Sequence, residues 1–131
     1  MNVKEVVPFL SISSMERSLR FYIDGLGFEM RNKWEPDGKL RWCWLTLGGA
    51  SLMLQEFTNA PPPVPGGINL TFTCEDAIAL YYQYRSLGAS EPEVGNGLWV
   101  TKVVDPDGYK LFFESPTDVA EDTKLSEIAS T

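Results

Sequence analysis

The sequence predicts an α+β fold of two βαβββ modules forming a curved mixed sheet, a cup whose outside is covered by helices. Three observations carry this. A strand, a helix and three further strands occur in that order twice along the chain. Leu26-Gly27-Phe28 and Leu87-Gly88-Ala89 stand at the same place, the exit of the helix, in each copy. A proline-rich stretch at 58–67 separates the copies and begins no element of its own.

The first module spans about 5–57. Residues 5–12 are mostly apolar and read as a strand bounded by Ser13 and Ser14. Ser13 and Glu16 have the spacing of a capping box, in which each side chain satisfies a backbone N–H at the helix start. The helix that follows carries Met15, Leu19, Tyr22, Ile23 and Leu26 on one stripe, and Gly25 and Gly27 end it. A strand at 28–34 leads to the turn Pro36-Asp37-Gly38. In the next strand, 40–47, Trp42, Trp44 and Thr46 share one face, and Cys43, Leu45 and Leu47 share the other. Gly48-Gly49 turns the chain into a strand at 51–57.

The connector at 58–67 holds three consecutive prolines and a fourth close behind, a stiff and extended composition. The second module, about 68–115, repeats the order. Its strands are predicted at 68–73, 89–93, 98–104 and 109–114, with a helix at 75–87 whose stripe is Ala77, Leu80, Tyr81, Tyr84 and Leu87. Asn96-Gly97 and Asp105-Pro106-Asp107-Gly108 supply the turns. In the latter, Pro at the second position and Gly at the fourth describe a type I turn whose first Asp accepts local N–H groups, a structural role. The acidic tail at 116–131 predicts at most a short helix anchored by Leu125 and Ile128. Neither module is large enough to bury one side of a four-stranded sheet alone, so the halves are expected to share a core with each other or with a second chain.

Composition removes several chemistries. The 131 residues contain no histidine, which excludes catalytic triads, histidine-containing zinc sites and two-histidine iron sites supplied by this chain alone. A net charge of −7 without a basic run argues against nucleic acid as a partner. Cys43 and Cys74 are isolated within strand-like runs, which predicts two reduced thiols. The apolar run at the N-terminus is too short for a signal peptide and nothing approaches a membrane span, so a cytoplasmic protein with no membrane partner is expected. The glycines lack the spacing that cradles phosphate.

Met15-Glu16-Arg17-Ser18-Leu19-Arg20-Phe21-Tyr22 followed by Leu26-Gly27-Phe28, with Asp105-Pro106-Asp107-Gly108-Tyr109 running into the last strand, resembles the vicinal oxygen chelate superfamily of glyoxalases, extradiol dioxygenases and fosfomycin- and bleomycin-resistance proteins. The similarity of layout covers about residues 5–115. It implies paired modules, commonly a homodimer, and a cup-shaped sheet around each site. Metal-using members carry His, Gln or Glu at four positions facing the cup. The resemblance places these at Val7, Met53, Asn69 and Phe112, with Gln55 within the ambiguity at Met53. Apolar Val7 and Phe112 cannot coordinate a divalent ion, so no metal and no other cofactor is expected. Glu56 and Glu114 leave open a magnesium ion completed by water, although solvated rim carboxylates are the plainer reading.

Phe9, Trp42, Trp44, Trp99 and Phe112 are candidate aromatic walls of a binding cavity, on which planar or cationic ligands would stack. The competing reading is that these rings fill the core. Ser11, Gln55, Asn69, Thr71 and Glu114, with Thr73, are candidate polar contacts by strand parity, and Arg41 and Lys102 stand at the rim. The leading functional expectation is metal-independent binding or sequestration of a small aromatic compound, cationic ones included, as in bleomycin resistance. The alternatives are a metal-dependent lyase, isomerase or dioxygenase, and an interaction domain whose cavity is packed shut.

Overall fold

A computed structural model describes residues 1–128, so the end of the predicted tail lies outside the described residues. The chain divides into two compact units, Met1–Val64 and Pro65–Thr131.

In the first unit, β1 (Phe9–Ile12) leads to α1 (Met15–Leu19), then β2 (Glu29–Trp34), β3 (Trp42–Leu47) and β4 (Ala50–Glu56). The sheet order is β1-β4-β3-β2, with β1 parallel to β4 and the other pairs antiparallel. The first strand is shorter than the predicted 5–12 because Pro8 has no N–H to give the ladder; it only accepts, from the Met53 N–H at 2.8 Å.

Ser14, not Ser13, caps α1. Its backbone is extended (φ −144°, ψ 111°), which aims Oγ at the Arg17 N–H, 3.2 Å away. The Ser13 hydroxyl accepts from Arg17 Nη2 at 2.9 Å, and Glu16 pairs with Arg20 at 3.0 Å instead of completing a capping box. Beyond α1 the helix widens into a π-helical segment, Arg20–Gly25, where the Leu26 N–H reaches back five residues to the Phe21 carbonyl. Phe21 and Tyr22, adjacent in the chain, are both buried there and meet edge to face at 5.0 Å. Gly27 leaves the helix at φ +95° and Gly88 repeats the device at +84°, conformations that strain any other residue.

The second unit holds β5 (Asn69–Thr73), α2 (Ala77–Gln83), β6 (Glu93–Gly95), β7 (Leu98–Val104), β8 (Lys110–Pro116) and α3 (Leu125–Ile128). Its sheet order, β5-β8-β7-β6, is the same permutation as in the first unit, with β5 parallel to β8. The two sheets therefore repeat one topology. Asp76 caps α2 through the Ala79 N–H, and a 3₁₀ turn, Arg85–Leu87, ends at Gly88. Two buried side chains tie α2 to its sheet: Ser115 Oγ accepts from the Ala77 N–H at 2.9 Å, and the Thr101 hydroxyl donates to the Ala77 carbonyl at 2.8 Å. Asp105 is buried, and its Oδ1 accepts from the N–H groups of Asp107 and Tyr109 at 2.9 and 2.8 Å, the structural role expected of that turn.

β6 begins at Glu93, not at 89, because Pro92 interrupts the donors of the predicted strand. Its free edge is covered by the tail. Asp122 N–H donates to the Val94 carbonyl, Val94 N–H to Thr123 and Leu125 N–H to Pro92, each at 2.9 Å. The Glu121 carboxylate receives the Asn96 and Gly97 N–H groups of the β6–β7 turn at 2.6 and 2.9 Å. Leu125 then packs with Ala77, Val94 and Trp99 in the core. Leu125→Ala is expected to lower unfolding free energy by about 2–3 kcal/mol, measured by urea denaturation. A loss below about 0.5 kcal/mol would show that the tail does not contribute to the core.

Candidate functional site

Alternation in the first sheet sorts its side chains into two chemically distinct sets. Leu10, Ile12, Cys43, Leu45, Leu52 and Leu54 are buried on the side of α1, where Cys43 Sγ lies 3.9 Å from Met15 Sδ. The opposite parity carries Phe9, Ser11, Trp42, Trp44, Thr46, Ser51, Met53 and Gln55. Register arranges this face in cross-strand rows. Phe9 stands opposite Met53, Met53 opposite Trp44 and Trp44 opposite Asn32; Ser11 stands opposite Gln55, Gln55 opposite Trp42 and Trp42 opposite Trp34. Phe9 and Trp34, at the two edges, are 51% and 52% exposed, and the residues between them are half-buried.

Between Met30 and Asn32 the register of β2 shifts by one residue, and the extra residue is Arg31. Its guanidinium carbon lies 4.8 Å from the Trp44 ring centroid. The Trp44 indole Nε1 is buried and has no hydrogen-bond partner among the described residues. Of the candidate ligand contacts, Phe9, Ser11, Trp42, Trp44 and Gln55 stand together on this face. Arg31, Asn32 and Trp34 were not foreseen.

The second sheet does the same with different chemistry. Opposite the α2 side lie Asn69, Thr71 and Thr73 on β5, Lys110, Phe112 and Glu114 on β8, and Val100 and Lys102 on β7. Thr71, Phe112 and Lys102 form one row; Thr73, Glu114, Val100 and Glu93 form the next. Trp99 corrects the sequence expectation. It pairs with Ser115 on the other parity and is 6% exposed in the core with Ala77, Val94 and Leu125, so it walls no cavity on this face. An open cleft of about 540 Å³ in this unit is lined by charges of both signs, among them Glu91, Glu93, Lys102, Asp122 and Lys124. Of the candidate contact and rim residues only Lys102 lines it, and it offers no aromatic ring.

The sequence matches the glyoxalase/bleomycin resistance protein/dioxygenase superfamily over residues 5–113. The chain belongs to this superfamily. By sequence, no curated protein matches it. Among solved structures, the bleomycin-binding protein complexed with bleomycin is similar at TM-score 0.68 and 21% identity, covering 86% of this chain and 98% of that one. TnmS3, an antibiotic-binding protein from Streptomyces sp. CB03234, has TM-score 0.66 at 20% identity, covering 89% of this chain and 99% of its own. A glyoxylase/bleomycin resistance protein/dioxygenase domain from Frankia sp. EAN1pec has TM-score 0.71 at 19% identity, covering 88% and 99%. At these identities the likeness is one of fold.

The superfamily resemblance implies a divalent metal at four positions, of which Val7, expected in the first strand, lies ahead of β1. In this chain they hold an isopropyl group at Val7, a thioether at Met53, an amide at Asn69 and a phenyl ring at Phe112. Met53 stands between Phe9 and Trp44 in an apolar row. Among the described residues no three His, Cys, Asp or Glu side chains gather at one place. This donor set does not fit a divalent cation, and no chemistry is routed through one.

The thiols are held protonated. Burial raises the Cys43 pKa from its ordinary 9.0 to about 11, and burial, aided by the nearby Asp76 and Glu114 charges, also raises Cys74. Because the fold favours neutral Cys43, its contribution to stability is full below pH 9.0 and is lost as pH rises through about 11. Two outcomes are expected. In mildly alkaline buffer a thiol reagent modifies half-exposed Cys74 before buried Cys43, followed by mass spectrometry of peptides. Between pH 9.0 and about 11 the urea midpoint falls more steeply in the native sequence than in Cys43→Ala.

Proposed function

We propose that this protein binds, and thereby sequesters, a small aromatic compound without a catalytic metal. The observation that carries the reading is the first sheet's face opposite α1, where Phe9, Trp42, Trp44 and Met53 stand in adjacent cross-strand rows with Ser11 and Gln55. Large rigid rings on neighbouring strands offer a planar ligand two or more stacking partners at little cost in side-chain entropy. Ser11 and Gln55 supply the few polar groups that would orient it. The net charge of −7 and the exposed ring faces of Phe9 and Trp34 accommodate cationic as well as neutral ring systems.

Two further facts support the reading. The metal positions carry groups that cannot serve a lyase or dioxygenase. The bleomycin-binding and antibiotic-binding proteins share this fold across most of the chain. Of the wider superfamily's chemistries, sequestration is the one that needs shape and rings alone.

The test is a fluorescence titration with 2-naphthalenemethanol in the presence of EDTA. Saturable binding is expected, unchanged by the chelator and weakened about tenfold by Trp42→Ala, the loss of one stacking wall. Binding that appears only when a divalent metal is added, or an affinity indifferent to Trp42→Ala, would overturn the proposal.

A further inference from the structure

Arg31, at the bulge in β2, gives the aromatic face a charge of its own. A β-bulge sets two residues of one strand against one of its partner. Here Met30 pairs with Leu45 and Asn32 with Trp44, so Arg31 is the inserted residue. Met30 pairs with Leu45 on the core side, so alternation sets Arg31 on the Trp44 side, where its guanidinium lies over the ring at 4.8 Å, and the insertion keeps Asn32 in the same row.

Two other cations of this unit are occupied differently. Arg20 pairs with Glu16, and Lys33 pairs with Glu35, each at 3.0 Å. Among the described residues Arg31 has no carboxylate partner and no hydrogen bond, although Glu29, opposite Thr46, is the nearest carboxylate along the same strand. A guanidinium carries five N–H donors in a planar fork suited to a carboxylate or a similar oxygen pair. Stacking on an indole holds that fork in place and leaves its edge donors free. The Trp44 Nε1, also a donor, is likewise without a partner. The rows around Trp44 otherwise hold Phe9, Met53, Asn32, Trp42, Thr46 and Gln55, none of them charged.

We infer that Arg31 sets the charge preference of this face: the compound it takes bears an anionic or strongly accepting oxygen group, such as a carboxylate or phenolate, beside its aromatic ring. This rests on the proposed binding of an aromatic compound and, at Trp44, replaces its tolerance of cationic rings by a preference for anionic ones. Cations can still meet the exposed rings of Phe9 and Trp34, but at Trp44 the chain's own cation already occupies one ring face and repels a second.

The test compares three probes with one ring system, 2-naphthoate, 2-naphthalenemethanol and 2-naphthylmethylammonium, by isothermal titration near neutral pH, with the native sequence and Arg31→Gln. The native protein is expected to bind 2-naphthoate at least about tenfold more tightly than 2-naphthylmethylammonium, and Arg31→Gln to bring the two within about threefold. Equal or tighter binding of the ammonium by the native protein, or discrimination that survives Arg31→Gln, would overturn the inference. If 2-naphthalenemethanol still binds in that case, the aromatic site stands and only its charge preference falls. If none of the three probes binds, both the inference and the proposed function fall. Circular dichroism of Arg31→Gln, whose side chain is exposed, confirms that the variant is folded.

Discussion

The two-residue period of β3 is the constraint on which the candidate site depends. Cys43 and Leu45 must enter the core beside Leu52 and Leu54, and once they do, Trp42 and Trp44 have no choice but the opposite face. A slip of one residue would drive two indoles into a core already filled by Tyr22, Phe28 and the leucines, and expose a thiol and two leucines. Core packing therefore fixes the ring positions, and the neighbouring strands inherit the register: Met53 and Gln55 from β4, Phe9 and Ser11 from β1.

The repeated topology has been put to two uses. Both sheets run in the same strand order and close with the same parallel pair. The first sheet carries rings and a thioether on its second face; the second carries threonines, an asparagine, two lysines, two glutamates and a single phenylalanine on the equivalent face. Only the first presents enough aromatic area to hold a planar compound by stacking. The second unit invests instead in its tail, which covers the β6 edge and adds Leu125 to the core. At that same edge the Ser126 hydroxyl, together with the Ser126 N–H that donates to Glu91 at 3.1 Å, holds the Glu91 pKa below its ordinary value. That contribution is present above the ordinary carboxylate range and is lost as pH falls through the lowered value.

Much of this was legible in the residues, and the failures have physical causes. The alternation Trp-Cys-Trp-Leu-Thr-Leu in β3 separates large rings from compact core formers, so its facing could be read directly. In β7, Leu98, Trp99, Val100 and Val103 are apolar on both parities, and nothing local says that Trp99 belongs to the core; the ladder to Ser115 and the α2 contacts decide it. Arg31 was missed because its place over Trp44 depends on which residue of β3 it meets, which β2 alone does not record; Asn32 and Trp34 were missed because the bulge breaks the period from which facing is inferred. Ser13 and Ser14 offer the same chemistry in adjacent positions, and only backbone angles choose between them. The clasp of Glu121 on the Asn96-Gly97 turn joins segments far apart in the chain, which no local pattern records.

A ring-lined sheet face, not a metal, is proposed to receive the ligand. Nuclear magnetic resonance of the indole N–H groups tests it most directly, because Trp42 and Trp44 lie on that face while Trp99 lies in the other unit's core. On adding an aromatic probe in metal-free buffer, the Trp42 and Trp44 signals are predicted to shift saturably while Trp99 stays fixed. Shifts that appear only after a divalent cation is supplied, or that fall on Trp99 and leave Trp42 and Trp44 unmoved, would contradict it.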